Sequence, residues 1–193
     1  MYREYIKYFI GFLVTIGLII VVIILLFGGG NDTKQTGSTD TKKLTDISDT
    51  DSKVRMTIAG NVRATQEYFE IQITSDSSSN NIQILQGYDH NVVDSQSFEN
   101  NAAGYSTFLR ALSIAGYSKG DTSKTLADDR GYCPLGQRYI FETIENGKVL
   151  SRYWTTSCGK SAPKTYLGTS GLTTTLFEKQ IPGYSTITNK VDF

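Results

Sequence analysis

Residues 8–27 carry no charge, and no other stretch of the chain resembles them. Ile, Val and Leu dominate the run, broken only by Gly11 and Gly17. At a helical rise of ~1.5 Å per residue, twenty residues span ~30 Å, the thickness of a bilayer's hydrocarbon core. β-branched residues form helices poorly in water, but in lipid an unpaired backbone costs more, so the helix is favoured. A water-facing side is missing, which argues against an amphipathic core helix. The run exceeds the ~7–15 apolar residues of a cleaved signal peptide and ends in Gly28-Gly29-Gly30-Asn31 without a small-x-small cleavage site. No Cys follows it closely for lipid attachment. The pattern predicts a single transmembrane anchor.

The flanks orient it. Arg3 and Lys7 precede the run, and Asn31 and Asp32 follow the glycines. The positive-inside rule then places residues 1–7 in the cytoplasm and everything after the anchor outside, with Tyr2, Tyr5 and Tyr8 at the inner interface. Residues 28–53 are polar except for Leu44 and Ile47, too little apolar surface to offset ordering entropy, and are expected to form a disordered linker. Residues 54–193 are expected to fold as one extracytoplasmic domain.

Within 67–74, Phe69, Ile71 and Ile73 alternate with Glu70, Gln72 and Thr74, the period of a half-buried strand. Residues 81–86 repeat the pattern after a polar turn, which predicts an antiparallel hairpin. Residues 54–62, with Val54, Met56 and Ile58 in phase, supply a partner strand. Residues 101–115 place Tyr105, Phe108, Leu109, Leu112 and Ala115 on one helical face, with Asn100 or Asn101 as cap and Gly116 as stop. Asn146-Gly147 between two apolar runs marks a hairpin over 137–157. A two-residue turn there sets Ile144 opposite Val149 and Tyr139 opposite Trp154, with Glu142 and Arg152 diagonal. Residues 170–179 predict a short helix with Leu172, Leu176 and Phe177 inward, and the last residues an edge strand. The expected fold is α+β: an antiparallel sheet of about four to six strands, one main helix on a face, and a transmembrane helix in front.

Charge narrows the functions. The chain has 19 Lys+Arg and 19 Asp+Glu, and the signs balance again within 54–193. No basic field exists to attract nucleic acid. Two cysteines occur, Cys133 and Cys158. The hairpin register puts Cys158 opposite Leu135, so a small adjustment near Pro134 brings the sulfurs together. An oxidising compartment permits the bond, and a disulfide is expected.

Candidate chemistry is sparse. Cys158 closes a Trp154-Thr155-Thr156-Ser157-Cys158 segment that loosely resembles the strand-end cysteine of sortases. That resemblance implies a Cys158–His90 transpeptidase or hydrolase, but no Arg follows Cys158 to complete such a site. Two Ser-x-x-Lys matches, at 157–160 and 161–164, lack the companion motifs of penicillin-binding enzymes. Asp121, Asp128 and Asp129 cluster without the spacing of a calcium loop, and one His with two paired Cys cannot close a zinc site. Neither a metal nor a cofactor is expected. The chain has 12 Tyr. Tyr88, Tyr117, Tyr132, Tyr166 and Tyr184 fall near glycines or loops and are candidates for an aromatic binding surface.

The runs Arg130-Gly131-Tyr132-Cys133-Pro134-Leu135-Gly136-Gln137, Trp154-Thr155-Thr156-Ser157-Cys158-Gly159 and Gln180-Ile181-Pro182-Gly183-Tyr184 resemble signal-anchored exported proteins of unknown function from small-genome, Gram-positive-like bacteria. The resemblance implies an extracytoplasmic domain and carries no catalytic residue. The expected role is a non-catalytic binding or interaction module of the cell envelope, held in the bilayer by residues 8–27 and meeting a protein or glycan partner. The alternative is the sortase-like Cys158 enzyme.

Overall fold

A computed structural model describes Leu44, residues 51–191 and Phe193. The chain divides into two compact units, 1–40 and 41–193, and all described residues belong to the second. The expected anchor lies outside the described residues. Among those described, no helix is long and apolar enough to cross a membrane.

Six antiparallel strands form one sheet in the order β4-β3-β2-β1-β5-β6. They are β1 (Ser52–Ala59), β2 (Phe69–Ser75), β3 (Ser79–Gln86), β4 (Asn91–Glu99), β5 (Arg138–Glu145) and β6 (Lys148–Thr156). Among the described residues three α-helices accompany them: α1 (Ala102–Ala115), α2 (Ser170–Glu178) and α3 (Tyr184–Thr188). The fold is α+β.

Alternation decides which side of the sheet is covered. Val54, Met56 and Ile58 of β1, Ile71 and Ile73 of β2, and Ile82 and Ile84 of β3 share one face and are buried. They meet Tyr105, Phe108, Leu109 and Leu112 of α1 and Phe177 of α2 in a single core. The rings of Phe108 and Phe177 meet edge to face at 5.2 Å. The caps of α1 are those expected. Asn101 Oδ1 accepts from the Gly104 N–H at 2.9 Å, and Gly116 takes a left-handed φ of 81°. The Tyr117 N–H then reaches back to the Leu112 carbonyl at 3.0 Å. That turn drives Tyr117 into the core, where its hydroxyl donates to the carbonyls of Glu142 (2.7 Å) and Arg55 (3.2 Å).

Several expectations are corrected. β1 opens at Ser52, and Leu44 is buried against the core, so the ordered domain reaches into the segment expected to be linker. β1 also ends at Ala59 rather than at residue 62. β4 was not anticipated: nearly all of it is exposed, and without a buried face it carries no clear alternation. In the β5–β6 hairpin, Ile144 does face Val149, but a bulge at Thr143/Ile144 shifts the rest by one residue. Trp154 therefore pairs with Ile140, Tyr139 with Thr155, and Glu142 sits directly opposite Arg152. Tyr139 and Trp154 end on opposite faces of the sheet. In α2, Phe177 and Leu176 face the core as expected, but Thr173 takes the inward place expected for Leu172, which is 45% exposed. The C-terminal residues form α3, not an edge strand.

The core is rich in phenols whose ionisation folding opposes. Burial pushes up Tyr117 and Tyr166, and Tyr105 to about 12. Burial also raises Tyr68, Tyr139, Tyr153 and Tyr184. In the unfolded chain these groups lose their protons near the ordinary value of 10.0, while the native state still holds them. The unfolded state then binds fewer protons, so stability falls as pH rises. We expect little loss up to about pH 9 and a steep, cooperative unfolding above about pH 10. Absorbance of tyrosinate should rise together with loss of circular dichroism. Full tyrosinate absorbance with an intact fold would contradict this account.

Candidate functional site

Among the described residues no α-helix covers the opposite face of the sheet, and most of its side chains are polar. Three cross-strand rows cover it. One runs Asn81, Thr74, Arg55, Glu142, Arg152; the next Gln83, Gln72, Thr57, Ile140, Trp154; the third Leu85, Glu70, Ala59, Arg138, Thr156. The β5–β6 end of this face is roofed by the loop between α1 and β5. Trp154 is fully buried beneath that roof, with Tyr132 stacked on its ring at 5.1 Å and Leu126 beside it. The indole N–H donates to the Leu126 carbonyl at 2.7 Å.

Charge fixes the roof in place. Asp129 is only 5% exposed and inserts between two arginines of the sheet. One Oδ is hydrogen-bonded by Arg152 Nη2, and the other lies 3.7 Å from Arg138 Nη1. Arg152 also donates to the Ala127 carbonyl at 3.1 Å and lies 3.6 Å from Glu142. Glu142 in turn accepts from Arg55 at 2.7 and 2.8 Å. From Arg138 the network continues outward. Its Nη2 donates to the Tyr68 hydroxyl (3.1 Å), which donates to Glu70 Oε1 (2.6 Å), and Glu70 Oε2 meets His90 Nδ1 at 3.1 Å. Burial, and then the bond to Glu70 and its charge, push the Tyr68 phenol well above its ordinary range, so it stays a neutral donor. Buried carboxylates and guanidiniums are tolerable only when paired in this way.

The disulfide anchors the far end of the roof. Cys133 and Cys158 are bonded, with their Cα atoms 5.7 Å apart. The bond closes through a turn, not through the strand diagonal. Cys133 has φ 53°, and the Gly136 N–H donates to its carbonyl at 3.1 Å. A Cβ at Gly136 would lie 2.6 Å from Ser157 Oγ and 2.7 Å from Cys133 Sγ, so only glycine fits. Pro134 adds a tie by accepting from the Val62 N–H at 2.7 Å.

Where roof and sheet part, an open groove of about 1070 Å³ remains. Its floor is Thr57, Gln72, Gln83 and Arg55. One wall is the roof edge at Ala127–Gly131, and the other is formed by Tyr88, His90, Val92 and Val62. Gln72 makes one long bond, from Nε2 to Thr57 at 3.4 Å, and its Oε1 has no partner among the described residues. The Gln83 carboxamide has no partner among the described residues, so both present donors and acceptors to the groove. Tyr88 is 46% exposed, with one ring face stacked on Tyr68 at 4.3 Å and its hydroxyl on the Arg63 carbonyl.

The anticipated residues are therefore dispersed. Tyr88 and His90 line the groove, and Tyr132 helps hold the roof. Tyr117 and Tyr166 are core residues at 2% and 1% exposure and offer no surface to a ligand. Tyr184 lines a separate cavity on the helix side. The sulfur of Cys158 is spent in the disulfide, which leaves no thiolate there, and His90 engages Glu70 instead. Both Ser-x-x-Lys segments lie in turns and bends after β6, not on a helix that would set Lys beside Ser. The three aspartates go separate ways: Asp121 caps the Ser123 N–H, Asp128 pairs with Arg130, and Asp129 joins the network. Sequence reasoning missed Gln72, Gln83, Arg138 and Asp129. The strand alternation placed Gln72 on the polar face, but nothing marked the loop that would cover half of it.

No protein-family model matches the chain, and no curated protein matches it.

The bridge and the Asp129 pairs hold the same loop from two ends. In the chain-entropy model a loop of this length, with the cysteines 25 positions apart, contributes roughly 3.5 kcal/mol. We expect reduction to lower the denaturation midpoint and to speed amide exchange across 124–136, with β1–β3 still protected. Equal exchange in the oxidised and reduced protein would contradict the clamp.

Proposed function

We propose that the chain is a membrane-anchored, non-catalytic binding module of the cell envelope, and that the groove on the helix-free face of the sheet is its binding site. The charge-free run at 8–27, the cation bias before it and the disulfide support an extracytoplasmic address. One observation carries the choice of site: the Gln83 carboxamide and the Gln72 Oε1 are open on the groove's floor, among the described residues, while its charges are satisfied among themselves. The four arginines that line the groove, Arg55, Arg130, Arg138 and Arg152, each meet a carboxylate, so none is left unpaired to draw in an anion. An uncharged, hydroxyl-rich ligand suits such a floor. Gln72, Gln83 and Thr57 offer hydrogen bonds in both directions, and the exposed ring of Tyr88 with Val92 offers an apolar contact. A neutral glycan segment of the envelope has that chemistry.

The test uses the full chain in a polyoxyethylene detergent, which lacks sugar headgroups. Titration with neutral tetrasaccharides of glucose and of N-acetylglucosamine should show saturable binding. Gln83→Ala, Gln72→Ala and Tyr88→Ala should each weaken it about tenfold, ~1.4 kcal/mol, with the fold intact. A tetramer of galacturonate should bind more weakly. Affinity unchanged in all three variants would exclude the groove, and preferential binding of the acidic tetramer would exclude a neutral ligand.

A further inference from the structure

A second cavity, of about 240 Å³, lies on the helix side of the sheet, at the end where α2 and α3 meet β1, β2 and β5. Its lining is mixed: Tyr139, Tyr184 and Phe193 supply aromatic rings, and Gln137, Thr174 and Thr188 supply polar groups. A single carboxylate, that of Glu178, lines it among the described residues. Glu178 is half-buried, and its carboxylate has no hydrogen bond or ion pair within the described residues.

Three features there favour positive charge. Glu178 supplies a formal negative charge with no partner. It is the last residue of α2, where the helix dipole presents its negative end and a carboxylate is disfavoured. The aromatic rings contribute the negative faces of their quadrupoles. The strain is visible in the titrating groups. Burial holds the Glu178 carboxyl above its ordinary value against the neighbouring Lys179. Burial and then the Glu178 charge raise both Tyr139 and Tyr184. A local arrangement that repels itself is either a cost carried by the fold or a site completed by a ligand.

We propose that this cavity is an organic-ammonium site, in which Glu178 pairs with the positive charge of a primary or quaternary ammonium and Tyr139, Tyr184 and Phe193 surround its carbon substituents. A hard metal ion is a poor occupant, because Glu178 is the cavity's one side-chain carboxylate among the described residues and the Gln137 side-chain oxygen already accepts from the Tyr139 hydroxyl. The volume fits a charged end group, not a whole ligand, so the occupant enters as the terminus of a larger molecule: a lysyl side chain or a trimethylammonium headgroup. Aromatic cages closed by a carboxylate select such cations by charge and shape together. The site is on the opposite side of the sheet from the groove, and the inference does not depend on the groove's ligand.

The full chain in the same detergent is titrated with n-butylammonium, with choline and with 3,3-dimethyl-1-butanol, the uncharged carbon analogue of choline. Tyrosine ring resonances or calorimetry report binding. We expect at least one cation to saturate the site about tenfold more tightly than the alcohol. Glu178→Gln should erase that preference. Tyr184→Leu should weaken the cation, and Tyr184→Phe, which keeps the ring, should not. Preference for butylammonium identifies a lysyl side chain as the natural source, and preference for choline a trimethylammonium group. Equal binding of alcohol and cation, cation binding unchanged in Glu178→Gln, or no saturation up to about 100 mM would each overturn the proposal.

Discussion

Asp129 is one carboxylate from a loop, placed between two sheet arginines, and the helix-free face takes its shape from it. Without Asp129, Arg138 at 7% exposure would hold a buried charge with only the Tyr68 hydroxyl for company. Removing one partner from a buried ion pair typically costs ~3–5 kcal/mol, far more than the pair gains over well-packed apolar groups. The network therefore functions less as a source of stability than as a constraint. The loop can seat in only one register, because every other placement strands a charge. Trp154 follows from that seating. It lies on the polar face of the sheet and is fully buried only because the loop covers it and accepts its indole N–H.

The two faces thus solve different problems. One is closed by α1, α2 and α3 over a core of aliphatic and phenolic side chains. The other is closed over β5 and β6 and left open over β1, β2 and β3, where the groove lies. The disulfide belongs to the second solution. It ties the loop's end to the end of β6 at a point where Gly136 alone permits the approach. A domain of this size with few helices benefits from such a staple where the medium keeps it oxidised.

Much of the fold was legible in the sequence, and the failures share a cause. β2, β3 and α1 announce themselves because each has one buried and one exposed face, so Ile71, Ile73 and the Tyr105–Leu112 stripe carry the period of their element. β4 has no buried face of its own and was silent. Asn146-Gly147 located the hairpin turn, but the bulge at Thr143/Ile144 is set by the wider sheet, and it moved Trp154 to the other face. α3 is a five-residue helix after Gly183, too short to show a period. The groove was the least legible feature. Gln72 and Gln83 are ordinary residues of a polar face, and their meeting follows from a cross-strand pairing that local pattern does not encode. Tyrosine count pointed to a surface, but Tyr117 and Tyr166 are buried with their hydroxyls satisfied, by backbone carbonyls and by Thr173 respectively.

The proposed address outside the cell and the bridge that staples the roof meet at one pair of sulfurs. The chain has only two cysteines, so one measurement reads both. Intact cells are exposed to a membrane-impermeant maleimide, with and without prior treatment with an impermeant phosphine reductant, and the protein is then weighed by mass spectrometry. The account predicts no label without reductant and two labels on Cys133 and Cys158 after it, with the cells unbroken. Labelling that needs no reductant would contradict the bridge, and labelling that appears only after lysis would contradict the address.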